Sequence, residues 1–476
     1  MMILRSLIVA IAVVVLAANP IPSGATEAGA DDEDRYDVAQ AVRVRTNFHL
    51  DASLATVQEA AVNISRYPDM SWGVPLSADE AAEMQRRIRQ YEATLPLVRE
   101  ARNDPSWAGW WLDHSDGGRP VLLFAADPST KRAEYGHLLP RVSEVRIENA
   151  ALTLAELERG RATILAADGE LAGEGIVLTG VGIDMSGNQL KVEVERASPA
   201  AHAAIAARFH GRFVVREEPA ARADACPETG CLPLKGGIGI TDQRTGDIQS
   251  ACTIGYLARR TDVNPDKLVG VTAGHCIVSA EGHGRWRHGS QDIGNSASKG
   301  GNPVHTWVNY YNADVGLLNT GQLPSIPSDR DQLLVDESPV VVYDIGATRA
   351  HADQVEGMGV CRMGRTTGLM CGEVVDIDDT KKSWFGSQYR WIDHVVDTDL
   401  DALGGDSGGS IFYRVEWPSA YAVLVGTHVH SWDGDPDNVH PGEQGWYSPV
   451  DRGVNTLDNM LGVTIVPCTT NVCGLP

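Results

Sequence analysis

The sequence predicts an all-β unit, a barrel or sandwich closed by one C-terminal helix, preceded by a segment of mixed α and β structure. Two observations predict this division. From Gly236 onward the chain is made of short apolar runs separated by Gly, Asn, Asp and Pro. Stretches such as 340–343 and 421–425 have strand length, and long helical periodicity is lacking until 450–461. The eight cysteines, at 226, 231, 252, 276, 361, 371, 468 and 473, all follow residue 225 and so mark a boundary there. A chain of 476 residues is too long for one compact core, so two or three folded units are expected. With 43% apolar residues and 49 glycines it has the composition of a folding chain.

The N-terminal stretch begins with Arg5, continues through an apolar run over 6–18 and reaches small residues at 23–25. That is the order of an export signal over residues 1–25, so a secreted, extracellular protein is expected. The apolar run is too short to cross a bilayer stably, and no later segment approaches a span. The acidic stretch 31–37 reads as solvated. Between 42 and 216, helical and strand patterns alternate. Residues 78–100 are a charged amphipathic helix candidate, whereas 121–126 and 191–194 read as strands. Residues 107–112 followed by Asp116-Gly117-Gly118 predict a hairpin, because two glycines tolerate the positive φ angles of a tight turn. Trp107, Trp110 and Trp111 are assigned to core packing. Residues 217–225, rich in alanine and charge, read as a linker between units 26–225 and 226–476.

A net charge of −23 repels phosphate backbones and anionic lipid, and no local basic patch offsets it, so neither nucleic acid nor membrane is an expected partner. An even number of cysteines confined to one part of an exported chain predicts disulfides. A zinc site is disfavoured because no CxxC pair occurs. Cys226 with Cys231 and Cys468 with Cys473 would close tight loops, and pairing between the chain ends stays open.

Three separated segments supply the parts of a nucleophilic hydrolysis. Val271-Thr272-Ala273-Gly274-His275-Cys276 sets a histidine beside a cysteine that can be tied down, and a base must be held still to be effective. Asn312-Ala313-Asp314-Val315-Gly316-Leu317-Leu318 encloses one acid among apolar neighbours, and a buried carboxylate needs a partner such as an imidazole. Gly404-Gly405-Asp406-Ser407-Gly408-Gly409-Ser410 turns sharply around a serine and aims the amides of Gly405 and Ser407 into one small volume. Each segment alone has a bland explanation; together, in the order His, Asp, Ser, they predict a catalytic triad of His275, Asp314 and Ser407. The GxSxG pattern also suits an α/β-hydrolase esterase, but that fold orders its triad Ser, acid, His and alternates strands with long helices. A non-catalytic binding protein on the same scaffold is the other rival, and it typically lacks a triad member.

With these motifs in place, residues 236–466 resemble chymotrypsin-like serine endopeptidases, and more closely their bacterial alpha-lytic endopeptidase and streptogrisin branch. The run Cys361-Arg362-Met363-Gly364-Arg365-Thr366-Thr367-Gly368-Leu369-Met370-Cys371-Gly372 is similar to that branch's signature loop. The resemblance implies two six-stranded antiparallel β-barrels with the triad in the cleft between them, and disulfides Cys252–Cys276 and Cys361–Cys371. It implies an ion pair of Arg362 with Asp406 that holds the oxyanion loop open. Residues 105–216, including 107–113 and 180–195, are similar to the branch's precursor region. That implies an α+β segment which assists folding, occupies the cleft and is then removed. Protein or peptide substrates and the chain's own precursor region are the expected partners of a monomer that needs no metal or organic cofactor.

Several residues depart from the branch. No cysteine occurs between Cys371 and Cys468 to brace the specificity pocket. Asp401 lies six residues before Ser407, where trypsin-like members carry an acid that binds Lys or Arg side chains; Asp397, Asp399 and Asp401 also read as a solvated acidic strand end. The substrate-binding strand is expected to follow 423–426, but Thr427-His428-Val429-His430 lacks the serine usual there. His428, His430 and His440 with Asp433, Asp435 and Asp437 invite a metal reading. The DxDxD run lacks a calcium loop's sixth-position glycine and twelfth-position glutamate, so a solvated loop is expected. Asn63-Ile64-Ser65 matches a glycosylation sequon too short to carry weight.

Overall fold

A computed structural model of the chain describes residues 38–62, 72–139, 145–217, 235–242, 251–279, 284–288, 291–308, 312–321, 331–337, 340–385, 388–415, 420–431 and 445–470. The expected export signal, the acidic stretch, the sequon, nearly all of the linker, Cys226, Cys231, Cys473, His440 and the acids at 433, 435 and 437 lie outside the described residues.

The N-terminal part begins with helix α1 (Val38–Asn47) and the long helix α2 (Ala78–Ala101). A capping box starts α2: the Ser77 hydroxyl accepts from the Glu80 amide and the Glu80 carboxylate accepts from the Ser77 amide. Strands β1 (Trp107–Asp113) and β2 (Arg119–Phe124) form the expected hairpin, with Gly117 and Gly118 at φ 67° and 69°. Strand β3 (Arg146–Asn149) lies parallel to β2, and helix α3 (Leu154–Ala166) follows. Strands β4 (Leu178–Asp184) and β5 (Gln189–Val194) make a second hairpin, and β6 (Phe213–Glu217) runs parallel to β5.

The C-terminal part is mostly β, with a short helix α4 (Gly274–Ser279) and one C-terminal helix. Strands β7 (Tyr256–Arg260), β8 (Lys267–Thr272) and β9 (Gly316–Asn319) pair antiparallel around β8. A larger sheet contains β10 (Gln332–Glu337), β11 (Val340–Thr348), β12 (Gly359–Gly364), β13 (Gly368–Phe385), β14 (Gln388–Thr398), β15 (Ser410–Val415), β16 (Tyr421–Ser431) and β17 (Gly445–Pro449). Helix α5 (Val450–Leu461) follows, and β18 (Ile465–Pro467) returns to pair with β7. No described helix is long and apolar enough to cross a membrane.

The larger sheet does not end at the boundary expected from the sequence. Strand β4 pairs antiparallel with β13, in the register Ile377–Ile183, Thr380–Val181 and Lys381–Gly180, so β4, β5 and β6 extend the C-terminal sheet. One apolar core runs through both parts, with Val181, Ile183 and Leu190 in the same cluster as Met358, Val374 and Phe412. Burying these side chains drives the association of the two parts.

Charge is buried at this junction as well. The Lys191 ammonium on β5 lies 3.0 Å from Glu193, 2.8 Å from Asp376, 3.0 Å from Asp379 and 2.9 Å from Asp397. Lys381 on β13 lies 2.6 Å from Glu193 and 2.9 Å from Asp397. The solvated reading of the 397–401 segment is thereby corrected: Asp397 and Asp399 are buried, because partners from distant segments make burial tolerable. Asp397 takes the two ammoniums, and Asp399 accepts from the Glu373 amide at 2.6 Å and from the Asn47 side chain of α1.

Candidate active site

Strand β8 delivers the chain into α4, which carries His275, and the adjacent Cys276 is bonded to Cys252. Asp314 stands just before β9, antiparallel to β8, which brings acid and histidine to the same sheet end. The His275 amide donates to Asp314 Oδ1 at 2.9 Å, and His275 Nδ1 lies 2.6 Å from Asp314 Oδ2. Both carboxylate oxygens are therefore engaged by one residue. The Asp314 amide in turn donates to Ser448 Oγ at 2.8 Å. His275 is 2% and Asp314 0% exposed, so the pair is dry. Gly274 permits the approach: a Cβ there would lie 2.6 Å from Asp314 Oδ1 and 2.9 Å from the Val315 carbonyl.

The loop bearing Ser407 is built on a buried ion pair. Arg362 lies 3.1 Å from Asp406, and both side chains are fully buried. Asp406 also accepts from the amides of Thr366 at 2.8 Å, Thr367 at 3.2 Å and Leu403 at 3.0 Å, and from the Thr367 hydroxyl at 2.7 Å. Cys361 is bonded to Cys371 beside this pair. Gly405 and Gly408 take φ of 97° and 91°, the left-handed region that glycine enters without strain. Side chains tie down two carbonyls of the loop: Thr366 Oγ1 donates to Gly404 O and Thr253 Oγ1 to Gly405 O, each at 2.7 Å. Among the described residues, the amides of Gly405 and Ser407 donate to no acceptor. Two unpaired donors in a tied loop are what an oxyanion site requires.

Ser407 stands in this loop. Its carbonyl accepts from the Thr253 amide at 2.8 Å, next to the Cys252–Cys276 bridge that anchors the histidine. Its hydroxyl donates to the Val429 carbonyl of β16 at 3.0 Å. A hydroxyl has one proton, so in this arrangement Ser407 donates to Val429 and not to His275.

Two further histidines, read from the sequence as part of a solvated loop, are buried on β16 instead. His428 and His430 are 2% and 1% exposed, and burial holds both imidazoles well below their usual pKa. His430 stacks on His275 with ring centroids 4.6 Å apart. The signal for this placement was the apolar run from 421 to 425, whose continuation through Thr427-His428-Val429-His430 is one long strand.

Asp401 is occupied. Its carboxylate pairs with Arg43 of α1, and its carbonyl accepts from Arg362. Cys468 is buried and disulfide-bonded.

Three groups of side chains among the described residues have the spacing of metal ligands. Glu193, Asp379 and Asp397 already hold the ammoniums of Lys191 and Lys381. In the group of His351, Asp378 and His394, Arg161 pairs with Asp378 at 3.2 Å and Arg452 lies 3.2 Å from His351 Nδ1. Arginine only donates, so it leaves the proton of His351 on Nε2, the nitrogen a metal would need. The third group is His275, Asp314 and His430, in which His275 Nδ1 is engaged by Asp314.

No protein-family model matches the sequence, and no curated protein does. Among solved structures, Thermobifida fusca Protease A is 19% identical, with 49% of this chain and 98% of that one covered at a TM-score of 0.34. A glutamic acid specific serine protease described as using a histidine triad in substrate binding is 19% identical, with 49% and 100% covered at 0.34. Cellulomonas bogoriensis chymotrypsin is 19% identical, with 49% and 98% covered at 0.33. Similarity this distant assigns neither an activity nor a substrate.

Proposed function

We propose that the chain is a secreted serine endopeptidase of the chymotrypsin-like kind, made with an N-terminal precursor segment. One observation carries the reading: a dry His275–Asp314 pair stands beside a serine loop that keeps two amides unpaired. Asp314 orients His275 and stabilises the imidazolium that forms. His275 takes the Ser407 proton as the oxygen attacks the peptide carbonyl, and the amides of Gly405 and Ser407 hold the developing oxyanion. His275 then gives the proton to the departing amine, leaving an acyl-enzyme that water hydrolyses by the same route.

The hydrogen bond from Ser407 to Val429 suits a resting state. A substrate main-chain N–H that reaches the Val429 carbonyl would displace the hydroxyl and free its proton for His275. In the full chain Arg43 neutralises Asp401, so a preference for Lys or Arg belongs to the species from which α1 has departed. Profiling the cleavage of a peptide library by the secreted protein tests both statements. Hydrolysis that vanishes in Ser407→Ala is expected, with basic residues enriched before the cut; hydrolysis persisting in Ser407→Ala refutes the reading.

A further inference from the structure

His430 is the buried polar group beside the site that this mechanism does not use. Its ring is nearly parallel to that of His275, with an interplanar angle of 17° at 4.6 Å between centroids, and Trp446 lies 5.4 Å from it. One tautomer satisfies every donor in the run from Trp307 through Ser383 to His430. The Trp307 indole N–H can only donate, and it donates to Ser383 Oγ at 3.0 Å. The Ser383 hydroxyl keeps its own proton, for which His430 Nε2 at 2.8 Å is the acceptor. In that tautomer the proton of the neutral imidazole sits on Nδ1, which has no hydrogen-bond partner among the described residues. Burial, and after it the charge that His275 would carry, both oppose protonation of this ring.

These facts do not suit a second general base, since Nε2 is engaged by Ser383 and burial opposes protonation of the ring. They suit a different task. Asp314 holds His275 at the Nδ1 edge, a contact that does not by itself fix the tilt of the ring plane. A flat neighbour that is itself pinned removes the tilt. Being neutral, it does so without repelling the imidazolium that catalysis creates.

We propose, on the footing of the endopeptidase reading, that His430 is a positioning residue for His275: a neutral plate, pinned by Ser383 and Trp307, that sets the plane of the catalytic ring. A tilt of the base by a fraction of its contact distance lowers turnover without altering substrate binding, because geometry in the transition state is what is lost. Phenylalanine would keep the plate and lose the pin; alanine would lose both.

The test uses the full chain with Ser407→Ala, whose Nδ1 proton between His275 and Asp314 gives a downfield proton NMR resonance. Ser383→Ala and His430→Ala are expected to broaden or abolish it and to shift the titration of His275, while His430→Phe retains it in part. In the enzyme that keeps Ser407, both alanine variants should lower kcat by about 10- to 100-fold and leave KM within about twofold. Ser383→Ala removes only a hydroxyl and guards against a failure of His430→Ala to fold. An unchanged resonance, titration and kcat in folded variants, with loss of melting temperature alone, would show that His430 merely packs and would overturn the proposal. A chain that shows the resonance and its loss in Ser383→Ala, yet hydrolyses no peptide, would overturn the endopeptidase reading and leave the positioning role standing.

Discussion

Arg362 and Asp406 are fully buried and face each other at 3.1 Å, and the loop that carries Ser407 hangs from that contact. Removing one member strands the other charge in the interior. Arg362→Met should therefore cost about 3–5 kcal/mol of stability, measured by denaturant unfolding, and lower activity with it. Ser407→Ala leaves the loop intact and should instead lower turnover by about a millionfold with no change in melting temperature. The pairing of His275 with Asp314 and the turn at Ser407 were legible in the sequence because each carries a local mark: a tethering cysteine, an apolar enclosure, a run of glycines. Asp397 and Asp399 were not, because whether an acid is solvated depends on what covers it. One of the two cations that meet Asp397, Lys191, lies 206 residues away in the chain. His428 and His430 were misread for the same reason, since nothing local announces that Ser383 and His275 will enclose a polar imidazole.

At the scale of elements, the hairpin of β13 and β14 is where the N-terminal part and the site meet. β13 pairs with β4 at Lys381, and two residues on, Ser383 bonds to His430. Strand β4 can approach only because it carries glycine where the acids need room. A Cβ on Gly182 would lie 1.5 Å from Asp379 Oδ1, and one on Gly180 would lie 1.9 Å from Glu193 Oε2. Gly182→Ala should weaken the β4–β13 pairing by at least about 1–3 kcal/mol, seen as a lower melting temperature of the full chain; an unaltered melting curve would contradict this account of the junction. Helices α2 and α5 were legible, since a cap, a periodicity or both mark their limits. Strand β13 was not, because Asp376, Asp378, Asp379, Lys381 and Lys382 interrupt its apolar pattern, and its partners are supplied by β4 and β5.

For the whole molecule, the junction between the two parts should respond to pH. Burial, and next the charge of Asp184, push the Glu356 carboxyl up to about 8, where it accepts from the Met185 and Ser186 amides at the β4–β5 turn. Burial pushes Asp399 up to about 6 and also raises Glu373 and Asp376. Acids raised in the docked state bind more protons there than when separated, so docking is strongest at acid pH. It weakens as pH climbs from the ordinary carboxylate range of about 4.5 toward 8. The melting temperature of the full chain should fall between pH 5 and pH 8, and Glu356→Gln should flatten that fall. The same junction explains why residues 226–476 expressed alone should fail to reach an active state: β13 would lose its edge partner, and Asp376, Asp379 and Asp397 the Lys191 ammonium. Full activity of that segment after simple refolding would remove the N-terminal part from the account. Two parts were expected from the cysteine boundary; the sheet that runs across that boundary was not legible, since strand pairing over such a distance leaves no local pattern.

The central claim is that residue 407 is a nucleophile activated by residue 275. Treating the protein with a peptidyl phosphonate and locating the adduct by mass spectrometry tests it most directly. The account predicts one adduct, on Ser407, absent in Ser407→Ala, strongly reduced in His275→Ala and matched by loss of peptide hydrolysis. A folded protein that forms no adduct, or that carries it on another residue while Ser407→Ala still hydrolyses peptides, would contradict it.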